Sequence, residues 1–164
     1  MGLQLPGELT SLLSMLGYTW PEADEEKLFE MGQSWLRFGG GVPADLQAAH
    51  AYAQQVWTRN EGQAVEAFQA AWSDPESFSA NLDDAGVAST IVGAALLACA
   101  GIVLALKINV IVQLVLLAIQ IAQAIATAAV TFGASLLEIP IFKMVTGLIL
   151  DQLIDLALQA VLNG

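Results

Sequence analysis

The sequence predicts an all-α protein, an elongated helical bundle built around one long apolar central helix. Three observations predict it. Apolar residues recur three and four apart through most of the chain, the spacing of one helix face. Ala, Leu and Gln dominate, and the alternating runs are too short to support strands. From Val87 to Leu137, about fifty residues, there is no proline and one charged side chain, Lys107. As a helix that stretch would measure on the order of 75 Å.

The elements follow in order. Leu9, Leu12, Leu13 and Leu16 fit one face of a short helix, with Pro6 in its first turn and Gly17 at its exit. Tyr18-Thr19-Trp20-Pro21 is a break. Pro21 is placed to open a second helix, and the acids Glu22, Asp24, Glu25 and Glu26 favour its positive end as a solvated start. Leu28, Met31, Trp35 and Phe38 form its apolar face, and Gly39-Gly40-Gly41 reads as its stop. Pro43 then opens a third helix, roughly Ala44 to Trp72, which Gly62 interrupts. Asp74-Pro75 reads as a cap with proline at the first helical position. Asn81 to Gly86 loosens the chain before the apolar stretch. Pro140 breaks that stretch, and a last helix covers about Ile141 to Leu162, with Lys143, Asp151, Asp155 and Gln159 along one stripe.

Composition divides the chain. Of its 164 residues 56% are hydrophobic and only 13% charged, where a soluble domain carries about a quarter. Residues 1–86 hold 13 of the 16 acids and 3 of the 5 bases. We therefore expect an acidic amphipathic helical head over residues 1–86 and an apolar long helix plus C-terminal helix over 87–164, packed together as one domain. The acidic balance argues against nucleic acid, whose phosphates need Lys and Arg, and disfavours anionic lipid. Met1 to Gly17 holds no Lys or Arg, unlike a Sec signal peptide.

No residue set carries catalysis. His50 is the only histidine and Cys99 the only cysteine, and they lie in different segments. A lone His on an Ala-rich helix is structural more often than a ligand. Gly39-Gly40-Gly41 lacks the following Lys-Ser/Thr of a phosphate loop. We expect no enzyme activity, no metal and no cofactor. A polar row is more informative. Asn109, Gln113, Gln120, Gln123, Thr127, Thr131 and Ser135 recur mostly three, four or seven apart, on one narrow strip facing solvent, a partner helix or a pore.

Several words of the sequence carry a resemblance. They are Leu5-Pro6-Gly7, Gly17-Tyr18-Thr19-Trp20-Pro21-Glu22-Ala23-Asp24-Glu25 and Gly32-Gln33-Ser34-Trp35. Further on come Asn60-Glu61-Gly62-Gln63-Ala64-Val65-Glu66-Ala67-Phe68 and Trp72. Together they resemble the N-terminal domain of actinobacterial polymorphic toxins, which is similar to the Trp-x-Gly (WXG) family of small helical proteins exported by type VII secretion. The resemblance implies a WXG-like helical hairpin that turns at Gly62, with Asn60 where the family has Trp and Trp57 one turn earlier. It implies partner contact through Trp20, Trp35, Trp57, Gly62, Phe68 and Trp72. The family's export signal, Tyr-x-x-x-Asp/Glu, has two candidates here, Tyr18 with Glu22 and Trp72 with Glu76.

The resemblance thus implies a non-catalytic export and adaptor domain of a larger secreted toxin. It would leave the cell by a Sec-independent type VII route, docked to a small WXG-like partner or the secretion machinery, with a toxin domain following Gly164. The alternative is a membrane-inserting, pore-forming or toxin-translocating element. Val87 to Leu106 is long enough to span, the strip from Asn109 to Thr131 would line a lumen, and Lys107 would sit at the interface. Gly93, Ala94, Ala98 and Gly101 would permit close packing of this helix in either reading. In the soluble reading other helices wrap it. A homodimer through the last helix is the third arrangement.

Overall fold

Asp24 begins the first long helix: its Oδ1 accepts from the Lys27 amide at 3.1 Å, which makes it the N-cap. The computed structural model describes residues 2–163. In chain order they form α1 (Gly7–Met15), α2 (Glu25–Arg59), α3 (Gln63–Trp72) and α4 (Phe78–Thr127), then a 3-10 helix (Ala134–Glu138) and α5 (Ile139–Asn163). There is no strand among the described residues, and the all-α class holds.

Several boundaries differ from expectation. α2 begins at Glu25, not at Pro21, and runs through both Gly39-Gly40-Gly41 and Pro43. The head helices expected on either side of the glycines are therefore one. The chain breaks instead at Asn60-Glu61-Gly62. Asp74 caps only a turn, accepting from the Glu76 amide at 2.7 Å. Ser77 caps α4, its Oγ accepting from the Ala80 amide at 3.2 Å, so Asn81 to Gly86 is helical. α4 ends at Thr127, ten residues short of the expected Leu137. Past Thr127 the chain turns, with positive φ at Phe132 and Gly133, and hydroxyls satisfy carbonyls near the helix end. Thr131 Oγ1 donates to Thr127 O at 3.0 Å and Ser135 Oγ to Ala124 O at 2.7 Å. α5 starts at Ile139, with Pro140 in its first turn, where its missing N–H has no helical partner to lose.

The chain separates into two compact units: Leu28–Ala98, and Met1–Lys27 with Cys99–Gly164. The division expected at residue 86 falls inside α4.

In the unit Leu28–Ala98, α2 meets the first part of α4 through glycine. A Cβ on Gly32 would lie 2.9 Å from the Gly93 carbonyl oxygen, and one on Gly39 would lie 2.6 Å from the Gly86 oxygen and from Thr90 Oγ1. A Cβ on Gly93 would lie 2.8 Å from Leu36. The two backbones approach closer than any side chain allows. This contact explains why α2 continues past the glycines and Pro43: tertiary packing overrides a propensity cost of about 1 kcal/mol per Gly and about 3 for Pro. Of the four small residues expected to permit close approach, Gly93 does so, while Ala94, Ala98 and Gly101 are exposed.

The other unit is built on leucine. Leu9 and Leu13 of α1, Val110 and Leu114 of α4 and Leu150 of α5 form its buried core. Leu12, Tyr18, Trp20, Ile111 and Leu153 pack against it. Tyr18 joins the segment after α1 to α5: its hydroxyl lies 2.6 Å from Asp151 Oδ1 and 2.9 Å from the Gly147 carbonyl oxygen. The hydrogen bond to Asp151, with some burial and the carboxylate's charge, pushes the Tyr18 phenol up to about 12.

Candidate docking surfaces

The buried polar centre of the leucine-rich unit is an ion pair the sequence reading placed elsewhere. Lys107, expected at a membrane interface, is 2% exposed. Its Nζ lies 2.7 Å from Glu25 Oε2 and 2.7 Å from the Ala23 carbonyl oxygen, and 5.7 Å from the Trp20 ring centroid. Glu25 also accepts from the Leu3 amide. Burial on its own would raise the Glu25 carboxyl. The Lys107 ammonium and the Leu3 amide outweigh it and hold the group at about 2. Glu25 is thus a buried counter-ion, not part of a solvated helix start. The signal was present in the sequence: a lone Lys in an apolar helix needs a partner, because an unpaired buried charge is too costly to keep.

The predicted aromatic residues separate. Trp57, Phe68 and Trp72 come together with His50 where α3 folds back on α2. The Trp57–Phe68 centroids are 5.8 Å apart and those of Phe68 and Trp72 6.0 Å. Trp72 Nε1 donates to His50 Nδ1 at 3.0 Å, and the His50 ring stands edge-on to Trp57. Gly62 makes the reversal with a φ of 121°, a region L side chains rarely adopt, and its carbonyl accepts from the Val65 and Glu66 amides. Trp20 belongs to the other unit, half-buried beside Lys107.

Trp35 is not in the aromatic cluster. It is 41% exposed on α2, between Met31 and Phe38, which are about half exposed. Spacings of four and three put these residues on one face. With Glu30 and Ser34 they line an open groove of about 600 Å³. A second groove, of about 680 Å³, runs past Leu46, His50, Trp72 and Asp83.

The export-signal candidates sit differently. Tyr18 is engaged with α5, and Glu22 is exposed. Trp72 ends α3, and Glu76 is exposed in the turn that follows. Of the polar strip, Asn109, Gln120, Gln123 and Thr127 are exposed on α4 and Gln113 is half-buried. Thr131 lies in the turn after α4 and Ser135 is buried in the 3-10 helix, so neither extends a helical strip. Asn109 and Thr127 donate to carbonyls of their own helix.

The apolar helices are not wrapped. Only 22% of the most apolar window of α4 is buried, and only 11% of that over Ala134–Asn163. A central helix enclosed by neighbours would be mostly buried, so the enclosed-helix expectation fails. Both segments are long and apolar enough to cross a membrane. Among the described residues no group of His, Cys, Asp or Glu could hold a metal ion, and Cys99 is a half-buried free thiol.

A helical reversal on glycine and uncovered apolar faces are the features of this all-α chain that bear on function. The chain belongs to the WXG100-like domain family, whose model matches residues 5–147. It is therefore a type VII secretion-related helical protein of a family that is typically non-enzymatic and generally forms helical dimers. No curated protein and no solved structure matches it.

Proposed function

We propose that this chain is the non-catalytic export and adaptor domain of a larger secreted polymorphic toxin. It docks, helix against helix, with a small WXG-like partner or the secretion machinery. The observation that carries the reading is the row Met31, Trp35 and Phe38. Three large apolar side chains at helical spacing, uncovered on one face, fit the apolar stripe of a partner helix. The cluster of Trp57, Phe68 and Trp72 fixes the reversal beyond it. Trp72 and Glu76 serve as the export signal in this reading, since they follow the helical hairpin, the place the family's signal takes, whereas Tyr18 and Glu22 precede it. Co-expression with a small WXG-like protein tests the proposal. We expect a 1:1 complex that W35A/F38A weakens by about tenfold or more. Separate elution of the two chains would contradict it.

A second reading is favoured by the small buried share of α4 and α5. Here these helices enter a bilayer, and Lys107, neutralised by Glu25, leaves only after that pair opens. Flotation of the full chain with phosphatidylcholine vesicles tests it, and absence of the chain from the floated fraction at any pH would contradict it.

A further inference from the structure

The turn after α4 and the 3-10 helix that follows it present three large apolar side chains to water. Phe132 is 99% exposed, Val130 81% and Leu137 76%. Phe132 also has a φ of 54°, and it is the one non-glycine residue with positive φ among the described residues. A bulky residue held there is strained, and no packing contact of its side chain compensates. The turn is nonetheless well built. The Val130 and Thr131 amides donate to Thr127 O, the Gly133 amide to Ala128 O and the Leu136 amide to Gly133 O. The Thr131 and Ser135 hydroxyls bond to each other, and Ser135 reaches Ala124 O.

The chemistry selects one occupant. Between Lys107 and Lys143 the only charged residue is Glu138. A protein partner would need polar groups at the rim of the contact, and this turn directs its hydroxyls to its own chain. A second copy would need about 800 Å² per partner, well beyond what the side chains of Val130, Phe132 and Leu137 offer. Hydrocarbon needs neither: it requires apolar side chains outside and backbone groups satisfied inside. The turn also joins the two segments long and apolar enough to span.

We propose that Val130, Phe132 and Leu137 form a lipid-docking tip, which enters the hydrocarbon of a bilayer with uncharged headgroups ahead of α4 and α5. Uncharged headgroups are specified because the chain carries a net charge of −11. The inference rests on the second reading above and names the part of the molecule that makes first contact.

The test is flotation of the full chain with phosphatidylcholine vesicles, beside V130S/F132S/L137S. A second readout is an environment-sensitive dye on F132C in a C99S background. We expect the wild-type chain to float, the serine variant to lose about tenfold or more of its binding, and the dye to shift to the blue with vesicles. Equal flotation of both chains, or a floating chain whose dye stays in water, would overturn the tip and leave the membrane reading standing. Failure of the wild-type chain to float would overturn both.

Discussion

The two units are held together in opposite ways. Leu28–Ala98 relies on absence: glycines at 32, 39, 86 and 93 let the α2 and α4 backbones approach. The unit of Met1–Lys27 and Cys99–Gly164 relies on presence: a leucine core and one buried ion pair. The first unit is thus sensitive to an added methyl group, the second to a lost charge. Both leave large apolar faces uncovered.

The largest effect should come from the charge. E25Q or K107M alone leaves one buried charge unpaired and should cost about 3–5 kcal/mol in chemical denaturation. The double variant E25L/K107M should recover much of that, because it removes both charges. The pH dependence follows from the same pair. Glu25 is at about 2 in the folded chain against 4.5 ordinarily. A depressed carboxyl stabilises the fold above its unfolded value, and the contribution is lost as pH falls through about 2. Denaturation midpoints should drop between pH 4.5 and 2 in the wild type and stay flatter there in the double variant.

The glycine unit offers a sign test within one tripeptide. A Cβ on Gly39 meets Gly86 O and Thr90 Oγ1, whereas one on Gly40 meets nothing within 4 Å. G39A should destabilise by about 1–3 kcal/mol through overpacking. G40A should stabilise by about 0.5–1 kcal/mol, the helix-propensity gain of Ala over Gly. Matching signs in thermal melts would dissolve the contrast between the units.

The smallest effect belongs to Tyr18. Its phenol is raised to about 12, so the hydrogen bond to Asp151 stabilises the fold fully below pH 10 and is lost as pH rises through 12. Tyrosinate absorbance should show a late-titrating component that Y18F removes.

How much of this was legible can be read from particular residues. Helical periodicity gave the all-α class, α1 with its Leu9 and Leu13 face, and the polar residues of α4. Gly39-Gly40-Gly41 and Pro43 misled because local propensity cannot register that α4, distant in sequence, packs Gly86 and Thr90 against Gly39. Thr131 and Ser135 kept helical spacing although α4 ends before them, a break that spacing does not encode. Lys107 announced a buried partner by its isolation. Its pairing with Glu25 needed the fold, since Asp24, Glu25 and Glu26 are equivalent in sequence and of the three only Glu25 is fully buried. The quoted words around Tyr18 and Gly62 were enough to point to the family. The arrangement of Trp57, Phe68 and Trp72 around His50 was not, because that contact joins residues on different helices.

The central claim is that the uncovered face of α2 is a docking surface for a partner helix. Light scattering on the chain co-expressed without detergent with a small WXG-like protein is the test. We expect one species with the summed mass of the two chains, and its loss in W35A/F38A while the chain itself stays folded. A complex of unchanged mass in that variant, or a wild-type chain that elutes alone, would contradict it.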